Sequence, residues 1–418
     1  MAFGEAWSRP SFFQLSALAL KTGAAAIALL IVVSVTTAGV YGETRPVTAL
    51  AWSPANAEAA SIWASRALRA DKAGADAHAR VMAQVALARD ATSVDAWRTL
   101  AETADRKGDV GLARRRYSWV ERLSRRDQQT HFWLANDFLQ RGMIGATVEQ
   151  LDLALRTSES NWDRFLPMMV AASADARVVE PLRRRLQSAP NWRDPFMARL
   201  AASAPNLSTA AQIAGSLDWH VPAQREWIAI LLQRMADRGD YDLAWRFYTQ
   251  VRGWPTSQRP ARIVDGDFES SGQYPFGWGL VDEDDLSAQR GARPGDKGNS
   301  LLIGVSDGHS GSVARQLLAL PAGAYRISAR MGGVPKEADE RPNITVSCAG
   351  QSSPLVSLRG SEAATTDEGG VFAADLSVPE GCAWQWLAVE ATGGDEPTEV
   401  SSWVDDLAIR VLHGPGQG

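Results

Sequence analysis

The sequence predicts a multidomain protein in which one N-terminal transmembrane helix precedes an all-α solenoid of helical repeats and an all-β jelly-roll sandwich. Three observations lead to this prediction. An uncharged apolar segment lies near the N-terminus, a helical repeat follows it, and short alternating runs between turn residues fill the last third of the chain. The 418 residues are enough for two or three domains.

The apolar segment covers residues 22–42 and contains no charged side chain. About 20 apolar residues are enough for a helix to cross a bilayer, so we predict a transmembrane helix. Lys21 and Arg9 precede it, and basic residues favour the cytoplasmic side, so residues 1–21 are predicted to form a cytoplasmic tail. The bulk of the chain is then periplasmic, in a bacterial inner-membrane protein with a single span. The alternative is a cleaved signal peptide, whose apolar core is usually about 7 to 15 residues long.

The predicted helical domain spans residues 57–254 and follows a linker at residues 43–56. Its evidence is a recurrence of residue types every 34 residues. The recurring positions are Trp63 and Trp97; Leu100 and Leu134; Ala101 and Ala135; Gly74, Gly108 and Gly142; and Ala86, Val120 and Ala154. Such a period indicates two-helix units that bury their apolar faces only against each other.

The unit at Asp95–Arg125 illustrates how the sequence specifies a helical hairpin. Its first helix has an apolar face at the spacing of helical turns. That face consists of Trp97, Leu100, Ala101 and Ala104. Gly108 can adopt the left-handed conformation that ends a helix, and Asp109 can cap the next one. The same pair recurs as Gly239 and Asp240, which predicts a further hairpin there.

These positions resemble the tetratricopeptide repeat, and the chain departs from that pattern at the terminal proline, where Arg125 stands. The resemblance implies a tetratricopeptide-like solenoid whose concave groove binds a partner protein. An unrelated α-helical bundle is the alternative, because apolar helical stripes are generic. Residues 162–220 are predicted to be shorter, irregular helices divided by prolines. These prolines are Pro167, Pro181, Pro190, Pro195 and Pro205.

Beyond about residue 255 the helical period stops, and short alternating runs predict strands of an antiparallel sandwich or jelly roll. The predicted strands are Leu301–Val305, Ser312–Leu318, Gly323–Met331, Asn343–Cys348, Gly370–Leu376, Gln385–Glu390 and Val404–Val411.

Three segments within residues 263–413 resemble jelly rolls of the carbohydrate-binding-module type. Ile263–Glu269, with the following Pro275–Trp278, is similar to their opening, although Asp265 stands where asparagine is usual. Gly323–Arg330 resembles a central strand, and Trp403–Ile409 resembles the closing strand. The resemblance implies a sandwich that can bind a polysaccharide.

Sugar recognition uses exposed aromatic rings, and three residues are candidates for stacking on a glycan: Tyr274, Phe276 and Trp384. Tyr274 and Phe276 belong to the loop before Trp278, which the resemblance places in the core. Trp384 and Trp386 share one face of a strand, and both belong to the core if that face is the interior.

Some jelly rolls of this type carry a structural calcium where the first and last strands meet. Glu269 and Asp406 occupy matching motif positions, so the resemblance implies them as metal ligands. The alternative is that these acids are solvated or cap turns. We expect no other cofactor.

The chain has two cysteines, Cys348 and Cys382, and both lie in the sandwich region. A pair of cysteines in an exported domain suggests a disulfide, and two buried free thiols are the alternative.

We expect no enzymatic activity. The five histidines show no metal-ligand spacing, and neither a nucleophile elbow nor a phosphate-binding loop is present. A carboxylate pair for glycoside hydrolysis is the remaining enzymatic alternative. No segment resembles a nucleic-acid-binding module, and the predicted export also argues against a nucleic-acid partner. The expected function is a membrane-anchored adaptor in exopolysaccharide or envelope biogenesis, and the alternative is a purely structural protein–protein scaffold.

Overall fold

The computed structural model describes residues 12–70, 74–257, 259–293, 298–366, 368–394 and 402–412. Residues 1–11 of the predicted tail, with Arg9, and residue 413 of the predicted sandwich lie outside the described residues. The chain divides into two compact units. The first unit contains Met1–Phe165 and Glu180–Arg193, and the second contains Leu166–Val179 and Asp194–Gly418.

Helices make up the first part of the chain, and they fall largely where the repeat predicts them. They are α1 (Phe12–Tyr41), α2 (Pro46–Trp52), α3 (Ala57–Arg69), α4 (Ala75–Arg89), α5 (Val94–Arg106), α6 (Val110–Leu123), α7 (Gln128–Gln140), α8 (Ile144–Thr157), α9 (Trp162–Ala172), α10 (Ala176–Gln187), α11 (Arg193–Ser203), α12 (Leu207–Ala214), α13 (Pro222–Asp237) and α14 (Tyr241–Arg252).

The apolar helix α1 begins at Phe12, ten residues before the predicted span at residues 22–42. Its window Ala24–Tyr41 is long and apolar enough to cross a membrane, and none of that window is buried. A membrane span and a signal sequence share these properties.

Turn glycines and polar caps define the hairpins, as the sequence predicts. Gly108 and Gly239 both have φ of +78°, the left-handed conformation that ends a helix. The Asp109 carboxylate accepts a hydrogen bond from the backbone N–H of Leu112, which caps α6. The predicted cap at Asp240 lies at the start of α14, but its side chain makes no capping hydrogen bond.

Small residues allow the helices of the first unit to pack closely. Ala101, Ala104 and Ala113 form one buried cluster with Tyr117 and Leu134. Alanine side chains fill little space between two backbones, and the larger side chains of Leu112, Trp133 and Phe138 pack against this cluster.

The prolines of the irregular stretch divide the chain less completely than predicted. Pro167 and Pro181 lie inside α9 and α10, so neither helix ends there. Each comes after the first turn and removes a single intrahelical N–H donor, and the helix continues beyond it. Pro195 lies in the first turn of α11, where its missing N–H has no intrahelical partner to lose.

The last part of the chain is an antiparallel sandwich of two sheets. Its strands are β1 (Gly279–Leu280), β2 (Leu286–Ala292), β3 (Asn299–Val305), β4 (Ser310–Leu318), β5 (Gly323–Gly332), β6 (Asn343–Cys348), β7 (Pro354–Arg359), β8 (Gly370–Val378), β9 (Gln385–Thr392) and β10 (Trp403–Val411). One sheet has the order β1-β4-β9-β6-β7, and the other has the order β2-β3-β10-β5-β8.

All seven predicted strands are present, and the prediction omitted β1, β2 and β7. The strand β2 has few apolar residues, and β7 begins with Pro354 at the edge of its sheet, where proline costs no ladder hydrogen bond. The buried core includes Phe268 and Trp278, so the predicted interior position of Trp278 is confirmed.

The division into units does not follow the predicted boundary between residues 254 and 263. The helices α11 to α14 belong to the same unit as the sandwich. The last predicted hairpin is therefore part of the sandwich-containing unit, which has consequences for the candidate site.

Candidate functional site

The helix α14 packs its aromatic face against one sheet of the sandwich. Tyr241, Trp245 and Tyr248 are four and three residues apart, so they share one side of the helix. Tyr241 meets Trp386 of β9 edge to face, with 5.9 Å between ring centres. Trp386 lies on the opposite side of β9 from the core residue Leu387, which places α14 on the outside of the sheet.

Polar contacts add to this interface at its rim. The indole N–H of Trp384 donates to Oδ1 of Asp242, at 3.2 Å. Arg259 also pairs with Asp242, at 2.9 Å, and its guanidinium lies 5.2 Å from the ring centre of Trp384. The side chains of Arg259 and Asp242 are 47% and 65% exposed, so water screens this ion pair and its contribution to stability is small.

The predicted glycan-stacking residues lie in this interface. Phe276 is 2% exposed and Trp384 is 6% exposed. The ring of Phe276 contacts those of Trp245 and Tyr248, with 4.9 Å and 5.1 Å between centres. The helix therefore covers both predicted residues, and a sugar could stack on them only after α14 had moved away.

Tyr274 is half-buried and stacks on Trp386, with 6.1 Å between ring centres. The guanidinium of Arg315 lies 5.2 Å from the Tyr274 ring and 5.0 Å from the Trp386 ring. Burial raises the pKa of the Tyr274 hydroxyl to about 12, and the nearby Arg315 opposes part of that rise. Tyr274 thus supports the helix–sheet contact from the sandwich side.

A cleft of about 550 Å³ opens beside this interface. The buried rings of Trp245, Tyr248 and Phe276 line it together with the more exposed Trp219 and Trp254. Its other lining residues are Arg252, Pro255, Arg259, Pro260, Ala261, Arg262, Val264, Ser271, Gly272 and Gln273. The cleft thus combines aromatic faces with three guanidinium groups.

Arginine and tryptophan side chains alternate in a stack that we call the Arg–Trp ladder: Arg225, Trp219, Arg252 and Trp254. All of them except Arg225 line the cleft. The Arg252 guanidinium lies between two indoles, 4.7 Å from the ring centre of Trp219 and 4.5 Å from that of Trp254. Arg225 covers Trp219 at 5.6 Å. Cation–π attraction holds such stacks together. Nε of Arg225 also donates to the backbone carbonyl of Trp219, at 3.2 Å.

Sequence reasoning missed the ladder and Arg262. Trp254 follows the end of α14, and Arg262 lies between the predicted helical domain, which ends at residue 254, and the predicted sandwich, which begins at residue 263. The available signal was the run Arg252-Gly-Trp254, in which Gly253 is the left-handed residue that ends α14 and turns the chain back.

The predicted metal ligands have different partners. Glu269 accepts hydrogen bonds from the backbone N–H of Asn299 at 2.7 Å and from its side-chain amide at 3.3 Å. Asp406 lies at an irregularity of β10, with φ of +52°, in a shallow depression that also contains Asp267, Arg330 and Arg410. The two guanidinium groups there offset the charge of the two carboxylates. Within the described ranges, no three His, Cys, Asp or Glu side chains are grouped to hold a metal, and calcium binding stays a prediction.

Cys348 and Cys382 form a disulfide, with 5.5 Å between their Cα atoms. The bond joins the end of β6 to the turn that precedes β9. That turn carries Trp384, so the disulfide ties the indole that contacts α14 to the body of the sandwich.

Neither a protein-family model nor a curated protein matches the sequence. Among solved structures, TmCBM61 in complex with β-1,4-galactotriose is 16% identical, with a TM-score of 0.26, and the match covers 37% of this chain and 99% of that one. The module CBM6cm-2 from Cellvibrio mixtus lichenase 5A, in complex with cellotriose, is 13% identical, with a TM-score of 0.24 and coverage of 37% and 100%.

The enzymatically active domain of bacteriophage CBA120 tailspike protein 4 is 10% identical, with a TM-score of 0.27, and the match covers 36% of this chain. This chain spans only about a fifth of that domain, 21%. The sugars bound in those structures belong to those proteins.

Proposed function

We propose that this chain is a membrane-anchored adaptor of the bacterial inner membrane. In this proposal α1 spans the membrane once, the N-terminus is cytoplasmic and the rest of the protein is periplasmic. The tetratricopeptide-like helices bind a partner protein, and the sandwich-containing unit handles a glycan during the synthesis or export of exopolysaccharide or other envelope material. The protein performs no catalysis in this role.

The observation that carries the proposal is the uncovered apolar surface of α1. Its side chains Ile27, Leu30 and Val35 are each about 60% exposed, at 61%, 64% and 64%. Water solvates such a continuous apolar helix poorly, whereas a bilayer solvates it well. An anchor of this kind holds the attached units at the membrane, which suits a protein that gathers partners there.

The protein-binding part of the proposal rests on an open face of α7. Gln129, Asn136 and Leu139 lie on one side of this helix, and all three are exposed. Leu139 is 54% exposed although it is apolar. The side-chain amide of Gln129 reaches Glu102 of α5 at 3.5 Å, so neighbouring first helices contribute to one continuous surface. First helices line the concave groove in tetratricopeptide-type stacks, where partner segments bind.

A purely structural scaffold is the second candidate function. The observation that favours it is the coverage of Phe276 and Trp384 by α14, since these rings then serve packing and are closed to a ligand. Under this alternative, the sandwich-containing unit contacts only protein.

Site-specific photo-crosslinking in intact bacterial membranes tests the adaptor role with the full chain. A benzophenone amino acid replaces Asn136 on the α7 face in one variant and Arg115, an exposed residue of α6, in the control. We expect a discrete adduct with a second protein from position 136 and none from position 115. Equal labelling at both positions, or none at either, would contradict a partner-binding groove.

Carbonate extraction of the same membranes tests the anchor independently of any partner. An integral membrane protein stays in the pellet, and release of the full-length chain into the supernatant would contradict the membrane span.

A further inference from the structure

The lining of the cleft beside α14 has an unusual charge composition. It contains Arg252, Arg259 and Arg262 and no acidic side chain among the described residues. The whole chain, by contrast, has 48 acidic against 43 basic residues. A cationic cleft in a net-acidic chain raises the local concentration of anionic ligands.

Two of these arginines have free donors. Arg262 is exposed and has no carboxylate partner in the part of the chain that the structure describes. The Arg252 guanidinium stacks on the two indoles of the Arg–Trp ladder, and within the described part of the chain its N–H groups have no hydrogen-bond or carboxylate partner. Guanidinium groups with free edges bind carboxylates through paired, charge-assisted hydrogen bonds.

The same cleft presents aromatic planes. Trp254 is 47% exposed, although an indole of this size is normally buried. It lies beside the cleft with Trp219, and the two rings are held in place by the guanidinium between them. Rigid exposed rings stack on the apolar faces of pyranoses, and the amide of Gln273 and the hydroxyl of Ser271 in the lining can bind sugar hydroxyls.

We propose that this cleft binds an anionic oligosaccharide whose sugar rings carry carboxylates, with Trp254 and Trp219 stacking on the rings and Arg262 and Arg252 binding the carboxylates. This proposal deepens the glycan-handling part of the proposed function and rests on it. It locates the glycan in the cleft between α14, the segment that follows it and the loop at residues 271–276, where Trp219 and Trp254 are more exposed than the covered ring of Phe276. An acidic peptide carries the same negative charge but has no pyranose rings that could stack on the tryptophans. The aromatic lining of the cleft therefore favours the saccharide.

The experiment is isothermal titration calorimetry on the full-length protein in detergent micelles. The probes are a hexameric oligogalacturonate, a neutral β-1,4-galacto-oligosaccharide of equal length and a hexaglutamate peptide. The variants are Arg262→Ala and Trp254→Ala, and Arg246→Ala is the matched control, because Arg246 is an exposed arginine of α14 outside the cleft.

We expect oligogalacturonate to bind at least about ten-fold more tightly than the neutral oligosaccharide and than the peptide, since charge-assisted contacts form only with the carboxylates and stacking only with the sugar. Arg262→Ala and Trp254→Ala should each weaken oligogalacturonate binding by about ten-fold or more, and Arg246→Ala should leave it within about two-fold. Raising NaCl from about 0.05 M to about 0.5 M should also weaken it.

The possible failures are distinguishable. Equal binding of the charged and neutral sugars, or binding that is unchanged by Arg262→Ala, would overturn the cleft proposal and leave glycan handling intact. Tighter binding of hexaglutamate would overturn the saccharide in favour of an acidic peptide. Failure of every saccharide to bind would overturn both this proposal and the glycan part of the proposed function, while the crosslinking result at Asn136 would still decide the adaptor role.

Discussion

The α5–α6 and α13–α14 hairpins share a Gly-Asp turn, but different elements pack against their second helices. In the first, Tyr117 of α6 stacks on Trp133 of the next helix, α7, with 4.4 Å between ring centres. Arg114 donates two hydrogen bonds to the carboxylate of Asp137 in α7, at 2.8 Å and 2.6 Å. One aromatic stack and one ion pair thus attach the next hairpin.

In the second hairpin a β-sandwich replaces the next helix. Tyr248 occupies the position that matches Tyr117, and its ring packs on Phe276 of the sandwich loop. Trp245 stands at the position of Arg114, six residues after the turn glycine in each case, and also contacts Phe276. Burial raises the pKa of both tyrosine hydroxyls above the usual value.

In both hairpins the side chain six residues after the turn glycine contacts the neighbouring element. An arginine there needs a carboxylate on the neighbour, which a helix such as α7 supplies. A tryptophan there needs an apolar surface, which the loop before β1 supplies. Both turns place a left-handed glycine before an aspartate, so the two hairpins are alike at the turn glycine and differ in the side chains that meet the neighbour.

The largest expected effect is that of Trp245→Ala. Removing a buried tryptophan should lower the free energy of unfolding of the second unit by about 3–5 kcal/mol and leave the first unit unchanged. Hydrogen exchange of the full chain in detergent, measured by mass spectrometry along a urea series, checks this in peptides from β9 and α6. Arg246→Ala on the exposed side of α14 is the control. Comparable losses in both variants would mean that the helix–sandwich contact contributes little.

The matching variant in the first hairpin, Arg114→Ala, should lower the free energy of unfolding by less than Trp245→Ala does. The size of its effect should also depend on pH. The Arg114 side chain is 39% exposed, so solvent screens the pair. Its hydrogen bonds hold the pKa of the Asp137 carboxyl below the usual range. A lowered folded-state pKa stabilises the protein above the unfolded value of about 3.9, and this stability is lost as the pH falls through the folded value.

The stability difference between wild type and Arg114→Ala should therefore be constant from neutral pH down to about pH 5 and shrink below about pH 4. Chemical denaturation at several pH values measures it, with the exposed neighbour Arg115→Ala as control. If the stability difference between wild type and Arg114→Ala did not shrink below about pH 4, Arg114 would stabilise the protein through packing and not through its charge.

The smallest effect is expected at the shared turn. Gly108→Ala and Gly239→Ala each place a Cβ on a residue with φ of +78°, which should cost about 1 kcal/mol in either hairpin. Thermal unfolding of the two units provides the comparison. Gly145 lies inside α8 with open space around it, so Gly145→Ala should be neutral or slightly stabilising. If the two substitutions lowered stability by different amounts, the two turns would not be equivalent.

The sequence was sufficient for the local features of the fold. The turn glycines, the cap at Asp109 and seven of the strands depend on nearby residues, whose conformational preferences and alternation are visible in the chain. The contact between α14 and the sandwich depends on residues far apart in sequence. Trp384 and Asp242, for example, are 142 positions apart. Alternation assigns Trp384 and Trp386 to one side of the sheet but cannot reveal that a helix covers that side.

The cleft was hidden for the same reason. Trp219, Trp254 and Phe276 come from a loop between helices, the end of a helix and a loop of the sandwich. Each looks ordinary alone, and only the tertiary contact of α14 with the sandwich brings them together.

The aromatic contact between α14 and the sandwich also bears on how this architecture can be rearranged by recombination. A break in the gene between the codons for residues 254 and 263 would separate Tyr241, Trp245 and Tyr248 from Phe276, Trp384 and Trp386. Each product would expose a cluster of apolar rings to water, and both would be prone to aggregate. Another protein could therefore acquire the sandwich as a soluble domain only together with the hairpin α13–α14.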